Sequence, residues 1–164
     1  MTFDDDSAID RIFGLKQPAI FFFNEDQDHP FNPTFFAIAS AEKRMSKRID
    51  QKKQLVFAQS YITDGIGLRL TEYIGIGSTD FPSVWIISPV EDELYKYRYS
   101  GELTSSGINS FIEDWRNLKL ARHLKSAPVP EKNDKPLKEI VGRNFVEEVT
   151  DNDNWVLIKF YLPM

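Results

Sequence analysis

The chain has 164 residues, 41% of them hydrophobic and 13% aromatic, enough to bury one ordinary core and part of a second. Its formal charge of −5 argues against a nucleic-acid partner, and no apolar run approaches the roughly 20 residues that cross a bilayer. It contains no cysteine, which excludes disulfide staples and any thiolate nucleophile.

Taken in chain order, the pattern predicts an acidic start, Met1 to Asp6, without the basic and apolar regions of a secretory signal. Ser7 can cap a short helix that Gly14 ends. Pro18-Ala-Ile-Phe-Phe-Phe23 is an unbroken apolar run of strand length, as expected of a strand buried on both faces. A polar turn spans Asn24 to Asn32. Pro33 suits the first position of a helix whose apolar face is read as Phe36, Ile38, Ala41, Met45 and Ile49, running through the basic stretch Lys43 to Lys53. That basic stretch reads as a solvated helix face.

Leu55-Val-Phe-Ala58 reads as a second buried strand, and Asp64 starts a helix through Leu68, Leu70 and Tyr73 that Gly75 terminates. Pro82 feeds directly into the apolar strand Ser83 to Ile87. Leu94 to Tyr99 is the next strand, with Tyr95, Tyr97 and Tyr99 on one side. Thr104 caps a helix with Ile108, Phe111, Ile112, Trp115 and Leu118 at helical spacing. The order strand, helix, strand, helix, strand, strand, helix calls for right-handed crossovers over a buried sheet.

Composition then changes. Ser126 to Pro136 holds three prolines among polar residues and reads as a semi-rigid linker. Beyond it, Leu137 to Val141 and Val156 to Tyr161 read as strands around a short helix, Asn144 to Val149. That unit is too small to close a core of its own.

Several segments together resemble the protein disulfide isomerase family. Leu124 to Lys138 with Val141-Gly-Arg-Asn-Phe145 is similar to the family's junction between its b′ and a′ domains. Ile12-Phe13-Gly14, Pro18 to Phe23, Glu72-Tyr-Ile-Gly75 and Phe81-Pro-Ser-Val-Trp-Ile86 resemble b′ landmarks. Val156-Leu-Ile-Lys-Phe-Tyr161 resembles the strand leading to the Cys-Gly-His-Cys site of catalytic domains, although Leu162 and Met164 depart from the family's Tyr-Ala-Pro-Trp ending.

The resemblance implies an α/β, thioredoxin-like fold, a mixed central sheet flanked by helices, followed by an incomplete second thioredoxin-like domain. The expected division is 1–123, a b′-type substrate-binding domain; 124–136, the linker; and 137–164, the truncated start of an a′-type domain. The chain is accordingly expected to be a piece of a longer gene product. Pro82 resembles the proline, usually cis, that faces the active-site cysteines in catalytic thioredoxin folds, and here a structural role is expected of it.

Function by resemblance is binding of unfolded or non-native polypeptide at an apolar pocket, in the endoplasmic-reticulum lumen. The pocket positions carried over are Phe3 (after a one-residue offset), Phe13, Phe21, Phe23, Ala58 and Tyr73, with Phe36 added from the first long helix. Phe21 and Phe23 have an alternative reading as core residues of a central strand, and Ala58 is smaller than the branched residue common at its position. Two alternatives stand beside this reading. One is an intact isomerase whose cysteines lie beyond the chain; the other is a scaffold docking an endoplasmic-reticulum chaperone through Lys43 to Lys53.

No cofactor or metal is expected. His29 and His123 are isolated, and Gly65-Ile-Gly67 and Gly75-Ile-Gly77 lack the spacing of a dinucleotide loop. Asp4 to Asp6 reads as a solvated end, and Pro33 disqualifies Asn32 as a glycosylation acceptor.

Overall fold

Six consecutive apolar or amide side chains with no room for solvent set the centre of the molecule. In the computed structural model, which describes residue 14 and residues 16–61, 69–72, 75–76, 81–91, 93–124, 126–151 and 154–160, strand β1 (Ala19–Asn24) is buried along its whole length. It lies between β2 (Val56–Tyr61), which pairs parallel to it, and β3 (Ser83–Val90), which pairs antiparallel. β4 (Glu93–Arg98) follows β3 antiparallel, giving the order β2-β1-β3-β4. This mixed sheet with helices is the thioredoxin-like arrangement that the element order implies.

The pleat sends alternate residues to opposite faces. Ala19, Phe21 and Phe23 join Val56, Ala58, Leu70, Ile76, Trp85 and Ile87 on one face. Ile20 and Phe22 join Val84 and Ile86 on the other, beneath helix α1 (Asn32–Met45) and helix α2 (Ser105–Arg116). Each fully buried Phe or Ile contributes about 1.5–3 kcal/mol through loss of apolar surface to water.

β2 differs from its sequence reading. Its burial alternates, with Val56, Ala58 and Ser60 fully inside and Phe57, Gln59 and Tyr61 half-buried; the second face is only partly covered, by α1, whose Phe35 ring lies 5.5 Å from that of Phe57. The helix expected from Asp64 is described over residues 69–72, where Leu70 is buried. Gly75 ends it with φ 81°: its N–H donates to the Glu72 carbonyl at 3.1 Å, while that of Ile76 donates to Thr71 at 2.9 Å. Only a residue without Cβ adopts this left-handed turn without strain. The helix expected from Ser7 lies outside the described residues, apart from Gly14.

α2 carries the sequence prediction almost unchanged. The Thr104 side chain accepts from the Gly107 N–H at 3.1 Å, and Ile108, Phe111, Ile112 and Trp115 are buried. Leu118 does not continue that face; it lies past the helix end at φ 56° and is exposed. The segment after α2 returns to the sheet. The His123 N–H donates to the Lys96 carbonyl, its ring meets Trp85 edge-on at 4.7 Å, and Arg122 stacks 3.2 Å from the Tyr95 ring centroid.

The chain divides into two compact units, Met1–His123 and Leu124–Met164. In the second, Asn133 and Glu139 exchange two hydrogen bonds and Asn144 is buried, its side chain accepting from the Val141 N–H at 2.7 Å. The expected strands at 137–141 and 156–161 are absent among the described residues of this unit, and the expected helix is a single π-helical turn, Val146–Thr150. An extended segment becomes a strand only with a ladder partner, and Trp155, Leu157 and Phe160 stay exposed here.

The start of α2 yields a sharp test. A Cβ on Gly107 would fall 2.0 Å from the Tyr99 hydroxyl oxygen, which is held by its own bond to the Glu102 carbonyl at 2.8 Å. Gly107→Ala is therefore expected to destabilise by about 1–3 kcal/mol through overpacking, although alanine is the better helix former by about 1 kcal/mol. Tyr99→Phe in that background should recover part of the loss. Urea melts of the single and double variants measure this, and a stabilising Gly107→Ala would contradict the packing described.

Candidate binding groove

Helix α1 turns its buried stripe, Phe31, Phe35 and Ile38, onto the sheet. These positions follow i, i+4, i+7 spacing. Phe36 is one residue, or about 100°, away from Phe35 and points outward at 70% exposure. The single apolar face read from the sequence as Phe36, Ile38, Ala41, Met45 and Ile49 is thus split: Ile38 is buried, whereas Phe36 and Met45 are exposed.

Phe36 stands over a groove of about 530 Å³ between α1 and the chain leading into β2. Ala39, Lys43, Ile49, Leu55 and Phe57 are among its other lining residues. Two short 3₁₀ turns, Ser46–Arg48 and Gln51–Lys53, shape its far side. The Gln54 amide ties them together by donating to the Ser46 and Ile49 carbonyls, each at 3.0 Å. The Asp50 carboxylate accepts from the Lys52 N–H at 2.9 Å and caps the second turn.

Glu42 on the groove wall is paired in two directions with the Arg116 guanidinium of α2, and both side chains are 10% exposed. Burial disfavours the Arg116 cation. The hydrogen bonds and charges of Glu42, and then of Glu113, outweigh it and hold the guanidinium above its ordinary pKa. The pair links α1 to α2 at the groove wall.

The other sequence candidates are distributed differently. Phe21 and Phe23 are stacked with centroids 5.4 Å apart, and both, like Ala58, are wholly buried in the core on the opposite face of the sheet. They reach no surface in this structure, because β1 is covered on both sides. Phe3, Phe13 and Tyr73 lie outside the described residues. The structure therefore does not gather Phe36 with Phe21, Phe23 and Ala58. Ile49, Leu55 and Phe57, absent from the sequence candidates, stand beside Phe36 instead. The sequence reading places Ile49 on one apolar face with Phe36, and Leu55 in an apolar strand, but no local pattern brings the two together.

The carboxyl end of β1 holds one polar anomaly. Asn24 is wholly buried, and both polar atoms of its amide have no hydrogen-bond partner among the described residues. Nearby, the Phe81–Pro82 peptide bond is cis and delivers the chain into β3, where the Trp85 indole donates to the Ser83 hydroxyl at 3.0 Å.

Comparison with known proteins supplies the lineage. Protein disulfide isomerase-like 1-4 of Arabidopsis thaliana is 38% identical over 113 residues, covering 68% of this chain and 19% of that protein. The chain belongs to the protein disulfide isomerase family. No family model matches it. The fold agrees with the crystal structure of human ERp44, at TM-score 0.52 and 17% identity over 70% of this chain and 32% of that one. It also agrees with the first thioredoxin domain of mouse protein disulfide-isomerase A4, at TM-score 0.50 and 18% identity over 82% of this chain and 84% of that domain.

The chain spans about a fifth of the length of the curated isomerases it matches. Within the protein disulfide isomerase family it is a stretch with no thiol of its own.

An unpartnered buried amide weakens a fold by about 1–3 kcal/mol. Asn24→Val, which removes both orphan atoms from a strand position, is expected to raise stability by about 1 kcal/mol. Thermal melts of the two proteins check this; a lower Tm for the valine variant would mean that the amide is satisfied in solution.

Proposed function

We propose that this stretch of the protein disulfide isomerase family serves protein folding without redox chemistry, by binding apolar segments of non-native polypeptides at the Phe36 groove. The observation that carries the reading is the exposed Phe36 ring over a groove with Ile49, Leu55 and Phe57 in its walls. An apolar ring left in water at the mouth of a concavity gains free energy from any side chain that covers it, and that attraction is not directional. It therefore suits clients of varied sequence. Thiol–disulfide exchange needs a thiolate, which this chain cannot supply. The lumen of the endoplasmic reticulum is the compartment that goes with this reading.

A second reading is favoured by the names of the relatives, which are protein disulfide isomerases of several-fold greater length. In it, the groove belongs to a larger isomerase whose catalytic cysteines are encoded next to this stretch. Reading the adjoining transcript for a Cys-Gly-His-Cys codon run decides between a binding module alone and a binding module within an enzyme.

The groove itself is tested by NMR titration with an uncharged, unstructured peptide rich in Leu and Phe. Binding with a Kd on the order of micromolar to millimolar is expected, moving the signals of Ile49, Leu55 and Phe57. Phe36→Asp should weaken it about tenfold or more, since burying one Phe ring is worth about 1.5–3 kcal/mol. Shifts confined to Leu70, Thr71 and Ile76, on the opposite side of the sheet, would move the site away from the groove.

A further inference from the structure

We infer that the groove selects apolar segments flanked by carboxylates, a refinement that rests on the reading of the groove as a polypeptide site. Between positions 43 and 53 the chain carries Lys43, Arg44, Lys47, Arg48, Lys52 and Lys53 against Asp50 alone, so this stretch is +5 in a chain of −5. All six cationic side chains are exposed. Among the described residues none of the six takes part in an ion pair.

Asp50 within the stretch and Glu42 just before it are each engaged elsewhere. Asp50 caps the turn Gln51–Lys53 through the Lys52 N–H, and Glu42 is held by Arg116. Lys43 lines the groove directly. Lys47 and Arg48 sit between the lining residues Ser46 and Ile49, and Lys52 and Lys53 immediately precede the lining residue Gln54. The result is a groove of mixed apolar and polar lining bordered by a stretch of net positive charge. Such a border attracts an anionic chain over a Debye length of about 10 Å at 0.1 M salt and repels a cationic one.

The shape separates a polypeptide from a lipid surface as the occupant. Leu55, Phe57 and Phe36 surround a concavity, and α1 directs its buried stripe, Phe31, Phe35 and Ile38, toward the sheet. A helix that lies on a membrane instead presents a wide apolar face outward. An extended segment with one or two apolar side chains and acidic neighbours matches both the groove and its border.

The test uses the full chain and three fluorescent peptides with one Leu-Phe core, flanked by Glu, Gln or Lys residues, read by anisotropy. The Glu-flanked peptide is expected to bind about 5- to 10-fold more tightly than the Gln-flanked one, as two or three exposed charge pairs allow, and the Lys-flanked peptide least tightly. The spread should shrink between about 0.02 M and about 0.3 M salt. Lys47→Glu combined with Arg48→Glu, which lowers the stretch from +5 to +1, should largely abolish the preference. Equal binding of all three peptides would overturn the charge selection and leave the apolar site standing. If none of them binds, both readings fall. Binding to anionic phosphatidylserine vesicles but to no peptide would replace the polypeptide occupant with a lipid surface.

Discussion

The whole of the first unit depends on the burial of β1. Six residues at zero exposure, hydrogen-bonded to β2 on one edge and β3 on the other, leave no side of that strand in contact with water. Its three phenylalanines divide between two cores: Phe21 and Phe23 stack on one face, while Phe22 meets Phe31 and Phe35 on the other. Every other element is positioned by what it must cover. α1 and α2 cover the Phe22 face, and the segment containing Leu70 and Ile76 covers the Phe21 face.

That constraint also decides which apolar side chains reach water. Aromatic residues on the central strand are consumed by packing, so the exposed apolar surface falls to residues that the core leaves over. α1 satisfies the sheet with Phe31, Phe35 and Ile38, and the next ring, Phe36, has nowhere inward to go. The Arg116–Glu42 pair links the helix to α2, and the turns held by Gln54 bring Ile49 and Leu55 to the same groove. The groove is a consequence of core packing, with its positive border supplied by the basic stretch that follows α1.

Family membership and chemistry separate cleanly in this chain. The isomerases it resembles in sequence are named for thiol–disulfide exchange, yet the fold shared with ERp44 and with a thioredoxin domain of isomerase A4 is built here without a single thiol. The second unit shows the same dependence of structure on partners. Its apolar segment Trp155 to Phe160 has strong strand propensity, but among the described residues it has no strand partner, and Trp155, Leu157 and Phe160 stay exposed.

The sequence by itself determined the element order from β1 to α2, because hydrophobic periodicity and end signals are local. The unbroken run to Phe23, the proline before β3, Thr104 with its helix and Gly75 with its turn were all legible, as was the family. Tertiary structure alone decided which apolar residues face water. Phe35 and Phe36 are chemically equal neighbours, and only the position of the sheet beneath α1 separates a core ring from an exposed one. Likewise, how far Leu55 to Ala58 is covered on its second face, and whether 156–161 becomes a strand, depends on neighbours far away in the chain. Burial and strand pairing are properties of pairs of segments, and no local pattern contains them.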